Sequence, residues 1–180
     1  MIFNVAGLLT DQVGATRRGQ LAEERLVSGG VEFTGIEGGV TLMRTDRTIL
    51  VSAEVEATAI TECSRCLEKA TVEIDLEFEE EFVPLNSDLV GSKWEDGSDE
   101  TFDSSLLIDD HNQLDLTEAI GQAMAASMPI APLCRENCKG ICPVCWRNRN
   151  EFDCECDQLP IDPRWASLAS LNPESAKSPE

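Results

Sequence analysis

The sequence predicts an α+β fold: an antiparallel β-sheet or partly open barrel with one packed helix, followed by a small cysteine-rich module and a short C-terminal helix. Three observations carry that expectation. Apolar and polar residues alternate over residues 49–59 and 72–78, apolar residues repeat at helical spacing after residue 115, and all eight cysteines fall in close pairs.

Taken in order, candidate strands occupy residues 2–9, 31–36 and 40–44, with Gly29, Gly30, Gly38 and Gly39 punctuating them. Ile49, Val51, Ala53, Val55, Ala57 and Ala59 then recur at period two. Val72, Ile74, Leu76 and Phe78 do the same opposite Thr71, Glu73, Asp75 and Glu77, so each run describes a half-buried strand. Residues 61–68 lie between them and place Cys63 and Cys66 at the turn of an antiparallel hairpin.

From about 86 to 104 the composition turns to Ser, Gly and acid, including Glu95, Asp96, Asp99, Glu100 and Asp103. So little apolar area cannot offset chain entropy, and a mobile loop is expected. A short apolar stretch at residues 106–108 precedes a helix expected over about 115–128. Asp115 and Glu118 are spaced like a capping box, and Leu116, Ala119, Ile120, Ala123, Met124 and Ser127 share one face, with Pro129 ending the run. Near the C-terminus Asp162 and Pro163 open a short helix that carries Trp165, Leu168 and Leu171 on adjacent turns, Trp165 being an apolar anchor.

The chain has 180 residues, which is enough for one compact domain and a small metal-organised module. The expected division is a β-rich domain over 1–133, a cysteine-rich zinc module with its short helix over 134–171, and a disordered tail over 172–180. Aromatic residues make up only 5% and tyrosine is absent, so aromatic anchoring of the core is thin.

Acidic residues outnumber basic ones 34 to 14, for a formal charge of −20 and a pI near 4.2. That field opposes wrapping by RNA or binding to an anionic membrane and favours a basic partner. No segment approaches the ~20 apolar residues of a membrane span, and the first apolar run has no basic region before it, so a cytoplasmic protein is expected. In that compartment structural disulfides are rare, and the cysteines are read as metal ligands.

Their spacing is C-x2-C at Cys63 and Cys66, C-x3-C at Cys134 and Cys138, C-x2-C at Cys142 and Cys145, and C-x-C at Cys154 and Cys156. Zinc takes four soft ligands in a tetrahedron, and a tight turn with two cysteines presents both thiolates to one ion. The predicted sites are Cys142, Cys145, Cys154 and Cys156, whose pairs are eight residues apart, and Cys63, Cys66, Cys134 and Cys138, which bridge 67. A second partition, with Cys134, Cys138, Cys142 and Cys145 together and Cys63 and Cys66 joined to Cys154 and Cys156, is also compatible with the spacing. Two Zn²⁺ sites of this kind would each carry a formal −2, deepening the net charge to about −24.

Closed four-thiolate sites leave no coordination position for substrate or water, so no enzyme and no small-molecule substrate are expected. Cys142-Pro143-Val144-Cys145 has the form of a redox motif but lacks a surrounding βαβ unit. His111, the one histidine, is followed by Asn112 and Gln113 and lacks the partners of a zinc-deaminase motif, so it is read as a solvated loop residue. Arg135, Lys139, Arg147 and Arg149, with Trp146 among them, are the only basic concentration and are candidate RNA or partner contacts. Glu151, Asp153, Glu155 and Asp157 follow and dilute their field, which favours a solvated rim. Asn148 and Asn150 are read as caps of the zinc-bearing turn.

Cys63-x-Arg65-Cys66-Leu67-Glu68, the Asp115-Leu116-x-Glu118 helix reaching Pro129, and Cys134-x3-Cys138-x-Gly140-Ile141-Cys142-Pro143-x-Cys145 together resemble the YceD family, the large ribosomal RNA subunit accumulation proteins. The resemblance continues through Asn148, Asn150, Cys154-x-Cys156 and Asp162-Pro163-Arg164, and so covers most of residues 40–171. Trp146 departs from it, standing where the family usually has glycine, and a positive φ there would strain the turn. Arg149 also replaces a commonly apolar residue. The resemblance implies a bacterial ribosome-biogenesis role, supporting large-subunit ribosomal RNA and placed beside a basic large-subunit ribosomal protein or pre-ribosomal particle.

Overall fold

A computed structural model describes residues 1–87, 103–156 and 164. Among the described residues seven strands form one sheet: β1 Ile2–Asn4, β2 Thr16–Ser28, β3 Val31–Arg44, β4 Ile49–Glu62, β5 Lys69–Pro84, β6 Leu107–Ile108 and β7 Gln113–Asp115, in the order β1-β7-β6-β5-β4-β3-β2. A helical turn, α1, spans Ala6–Leu9, and the helix α2 spans Thr117–Ser127.

Alternation dictates β4 and β5. Ile49, Val51, Ala53, Val55, Ala57 and Ala59 are buried, as are Ile74, Phe78 and Phe82 of the neighbouring strand, while the residues between them face outward. The core adds Phe33, Ile36 and Val40 from β3, and Ile120 and Met124 from α2 cover it. The sheet curls into a half-barrel that brings its two edges, β1 and β2, together. The Met1 ammonium lies 3.7 Å from the Glu23 carboxylate of β2. Phe3 of β1 sits over Gly19, where a Cβ would come within 2.8 Å of its ring.

Several expectations change. All pairings are antiparallel except β5 with β6, where Val83 and Pro84 run parallel to Leu107 and Ile108, so the sheet is mixed. β2 has no counterpart among the expected strands: as an edge strand it carries Arg17, Arg18, Glu23, Glu24 and Arg25 and buries only Leu21, so its alternation is blurred. The candidates at 31–36 and 40–44 are one strand, because the register shift between Thr34 and Glu37 absorbs an extra residue and Gly38 and Gly39 stay in the ladder. The candidate at 2–9 is cut short at Asn4, whose side-chain oxygen accepts the Ala6 N–H at 3.2 Å and starts α1.

The helix begins two residues later than expected. Asp115 ends β7, and its carboxylate accepts the Thr117 N–H at 2.9 Å. Glu118 accepts from Gln122 at 3.2 Å, so no capping box forms. The expected loop falls mostly within residues 88–102, and that part, the Trp165 helix and the tail over 172–180 lie outside the described residues. No helix among the described residues is long and apolar enough to cross a membrane.

Candidate metal centres

Two turns in this chain have the same backbone bonding. Between β4 and β5, the Leu67 N–H donates to the Cys63 carbonyl at 3.0 Å and the Cys63 N–H donates to the Glu68 carbonyl at 2.8 Å. Between Cys142 and Arg147, the Trp146 N–H donates to the Cys142 carbonyl at 2.9 Å and the Cys142 N–H donates to the Arg147 carbonyl at 2.8 Å. Each turn closes through a residue in the left-handed region, Leu67 at φ 61° and Trp146 at φ 61°. Tryptophan thus occupies a conformation that favours glycine, which is the strain anticipated from its position after Cys145.

The turns gather the cysteines into two quartets. The sulfurs of Cys63, Cys66, Cys134 and Cys138 lie within 4.8 Å of one another, and so do those of Cys142, Cys145, Cys154 and Cys156. This is the first of the two partitions the spacing allowed. In the first quartet Cys63 Sγ is 3.7 Å from Cys138 Sγ and Cys66 Sγ is 3.5 Å from Cys134 Sγ. Those separations exceed a disulfide bond, and all eight thiols are free. A tetrahedral ion with metal–sulfur distances near 2.3 Å sets an edge of about 3.8 Å, so the donor set fits such an ion in type, number and size.

Electrostatics agree. Burial works against ionising Cys63, but the amides of Arg65, Cys134 and Cys66 outweigh it and pull the thiol down to about 6. The Glu68 amide draws Cys66 down, yet burial and the sulfurs of Cys134, Cys63 and Cys138 push it up to about 12. In the second quartet the Cys145 and Val144 amides bring Cys142 to about 6, whereas the Cys145 sulfur and burial push Cys156 to about 12. Four thiolates this close repel one another, and a divalent ion would offset half of their charge.

Around the first quartet, the Asn150 amide donates to Cys138 Sγ at 3.3 Å and is the largest influence lowering that thiol. Asn150 Oδ1 accepts the Lys139 N–H at 2.9 Å, and Asn148 Oδ1 accepts from both the Asn150 amide at 2.8 Å and its backbone N–H at 3.0 Å. The two asparagines therefore cap the cysteine-bearing segment, as their positions suggested.

A seam joins the quartets. The Ile141 N–H donates to the Arg65 carbonyl at 3.0 Å, the Arg149 N–H donates to the Gly140 carbonyl at 2.8 Å, and Arg65 Nη1 donates to the Cys138 carbonyl at 3.0 Å. Gly140 sits at φ 73°, and a Cβ there would press within 3.0 Å of the Arg65 carbonyl. Arg65 is recognisable only in the fold, since nothing in a lone arginine between two cysteines announces which distant backbone it will meet.

Arg135, Lys139, Arg147, Arg149 and Trp146 are all exposed. The Cys134 sulfur accepts a hydrogen bond from Arg135 and raises its pKa, and Lys139 Nζ lies 3.4 Å from the Asp153 carboxylate, so two of the four cations answer charges within the module. Asp109, Asp110 and His111 also lie close together but are exposed, and Asp109 caps its own loop by accepting the His111 and Gln113 N–H groups.

A family model described as the large ribosomal RNA subunit accumulation protein YceD matches residues 51–172, a span that holds all eight cysteines. The chain is also similar to uncharacterized proteins of Mycobacterium bovis and Mycobacterium tuberculosis strain H37Rv. In both cases identity is 29% over 160 residues, covering 81% of this chain and 70% of the relative. An uncharacterized protein of Mycobacterium leprae is 28% identical over 150 residues, covering 79% of this chain and 64% of the relative. No solved structure matches the chain.

Proposed function

We propose, from the premise that the chain belongs to the YceD family of large ribosomal RNA subunit accumulation proteins, that it is a non-enzymatic bacterial ribosome-biogenesis factor. It acts in the cytoplasm by binding a basic large-subunit ribosomal protein, free or within a pre-ribosomal particle. The observation that carries this reading is the family match running through every cysteine of both quartets. Each quartet holds one Zn²⁺ as a structural ion, because four thiolates on short turns close the coordination sphere and leave nothing for catalysis.

The charge of −20 supports a protein partner rather than RNA as the direct ligand. A basic ribosomal protein not yet on its RNA is a polycation, and an acidic surface shields it until RNA competes it away. Mixing the zinc-loaded protein with purified large-subunit ribosomal proteins at low and moderate salt tests this: a salt-sensitive complex with one or a few of them is expected. Failure to form any such complex refutes it.

A second reading, direct binding of ribosomal RNA, draws on Trp146, 74% exposed beside Arg147 and Arg149. It predicts RNA binding with a steep salt slope, which neutralising Arg147 and Arg149 would flatten. Filter binding against a large-subunit RNA fragment separates the two readings.

A further inference from the structure

Every second residue of β3, β4 and β5 turns away from the core, and the ladder stacks acids there. Glu54 stands opposite Glu77, Glu56 opposite Asp75, and Glu37 opposite Glu56. All five are exposed. Like charges directly across a sheet are destabilising, so this arrangement costs the isolated fold stability. Among the described residues none of the five is ion-paired; the carboxylates in ion pairs are Glu23, Glu32, Asp46, Asp110, Asp115 and Asp153.

The same face is hollowed. A groove of about 850 Å³ crosses it, lined by Arg18, Gln20, Thr41, Glu54 and Glu77 around Gly39, where a Cβ would meet nothing within 4 Å. Along β5 the outward acids Asp75, Glu77 and Glu79 recur every second residue, a repeat of about 6.8 Å that matches alternate side chains of any extended chain. The acidic outward rows suit cations, and they repel nucleic acid and anionic lipid.

We infer that the outward face of β2–β5 is the docking surface for an extended, lysine- and arginine-rich polypeptide segment, seated over Gly39 with its cations between the opposed carboxylates. This rests on the basic-partner reading above and specifies where that partner binds. The cations of the segment neutralise carboxylates that otherwise repel one another, so binding recovers stability that the free sheet forgoes.

The test uses the full, zinc-loaded chain and two probes: a fluorescent twelve-residue peptide alternating Lys or Arg with Ser, and the purified basic large-subunit ribosomal proteins. One variant carries Glu54→Gln, Glu56→Gln, Asp75→Asn and Glu77→Gln. A control carries the same charge change at Asp11→Asn, Asp46→Asn, Asp110→Asn and Glu151→Gln, exposed positions off the face. At about 0.15 M salt the face variant is expected to bind about tenfold more weakly, while the control stays within about twofold of the parent. The face variant should also melt no lower than the parent, since it removes repulsion.

Amide chemical shifts of the unmodified protein give a readout independent of any variant, and the peptide should move Gly39, Glu54 and Glu77. Equal weakening of both variants, or shifts confined to residues 134–156, would overturn this surface and leave the basic-partner reading standing. Failure of the unmodified protein to bind either probe would overturn both.

Discussion

Trp146→Gly is the most informative single change, because it separates backbone strain from side-chain packing at the second cysteine-bearing turn. Trp146 is held at φ 61° while its ring is 74% exposed. An L-residue pays about 1–2 kcal/mol in that region. Glycine pays none of this but forfeits about 0.5–1 kcal/mol through its freer unfolded chain. Little packing is lost from an exposed ring, so the net gain is about 1 kcal/mol. If metal binding and turn formation are coupled, that gain appears as roughly fivefold tighter Zn²⁺ at the second quartet, at 1.36 kcal/mol per tenfold. Competition against a chromophoric chelator reads it directly. Trp146→Ala keeps the left-handed backbone and should leave the affinity within about twofold, whereas Leu67→Gly, at φ 61° and 62% exposed, should repeat the gain at the first quartet. Unchanged or weaker binding by Trp146→Gly would show that the ring holds the turn more than the backbone strains it, and would refute a net strain there.

Asn150→Ala removes the amide that donates to Cys138 Sγ, and Zn²⁺ affinity should fall about tenfold. That amide holds the Cys138 thiol below its usual value; without it protons compete with metal to higher pH, so the pH of half-release in a chelator titration moves up. Because Cys66 and Cys156 lie at about 12, both are protonated in the metal-free protein at pH 7, and Zn²⁺ binding should release at least one proton per quartet. Calorimetry in buffers of different ionisation enthalpy measures that release, and a buffer-independent heat would contradict it. With Zn²⁺ bound, Cys66→Ser would open a link across 67 residues, whereas Cys154→Ser would open one across eight. Loss of the longer link should therefore cost about 2 kcal/mol more in denaturant unfolding. It should also abolish hydrogen-exchange protection at the Ser64 and Ile141 amides, which donate to Pro132 and Arg65.

The parts readable from sequence alone are those governed by spacing within one segment. Period-two alternation located β4 and β5 because one face of each is buried, and α2 showed itself by its apolar repeat up to Pro129. Cysteine pairs two to four residues apart announced turns able to present metal ligands, whatever the rest of the chain does. Tertiary structure decided what spacing leaves open. β2 exists because β3 offers it an edge, although Leu21 is its one buried residue and polar side chains interrupt its alternation, and β6 runs parallel to β5 through two residue pairs that no periodicity could signal. Both partitions of the cysteines satisfied the same spacing. The choice between them follows from Ile141 hydrogen-bonding to Arg65, which brings Cys138 to 3.7 Å from Cys63 and leaves Cys154 and Cys156 to their own turn. Local chemistry specifies which side chains can bind a metal, but the meeting of two distant backbones determines which four come together.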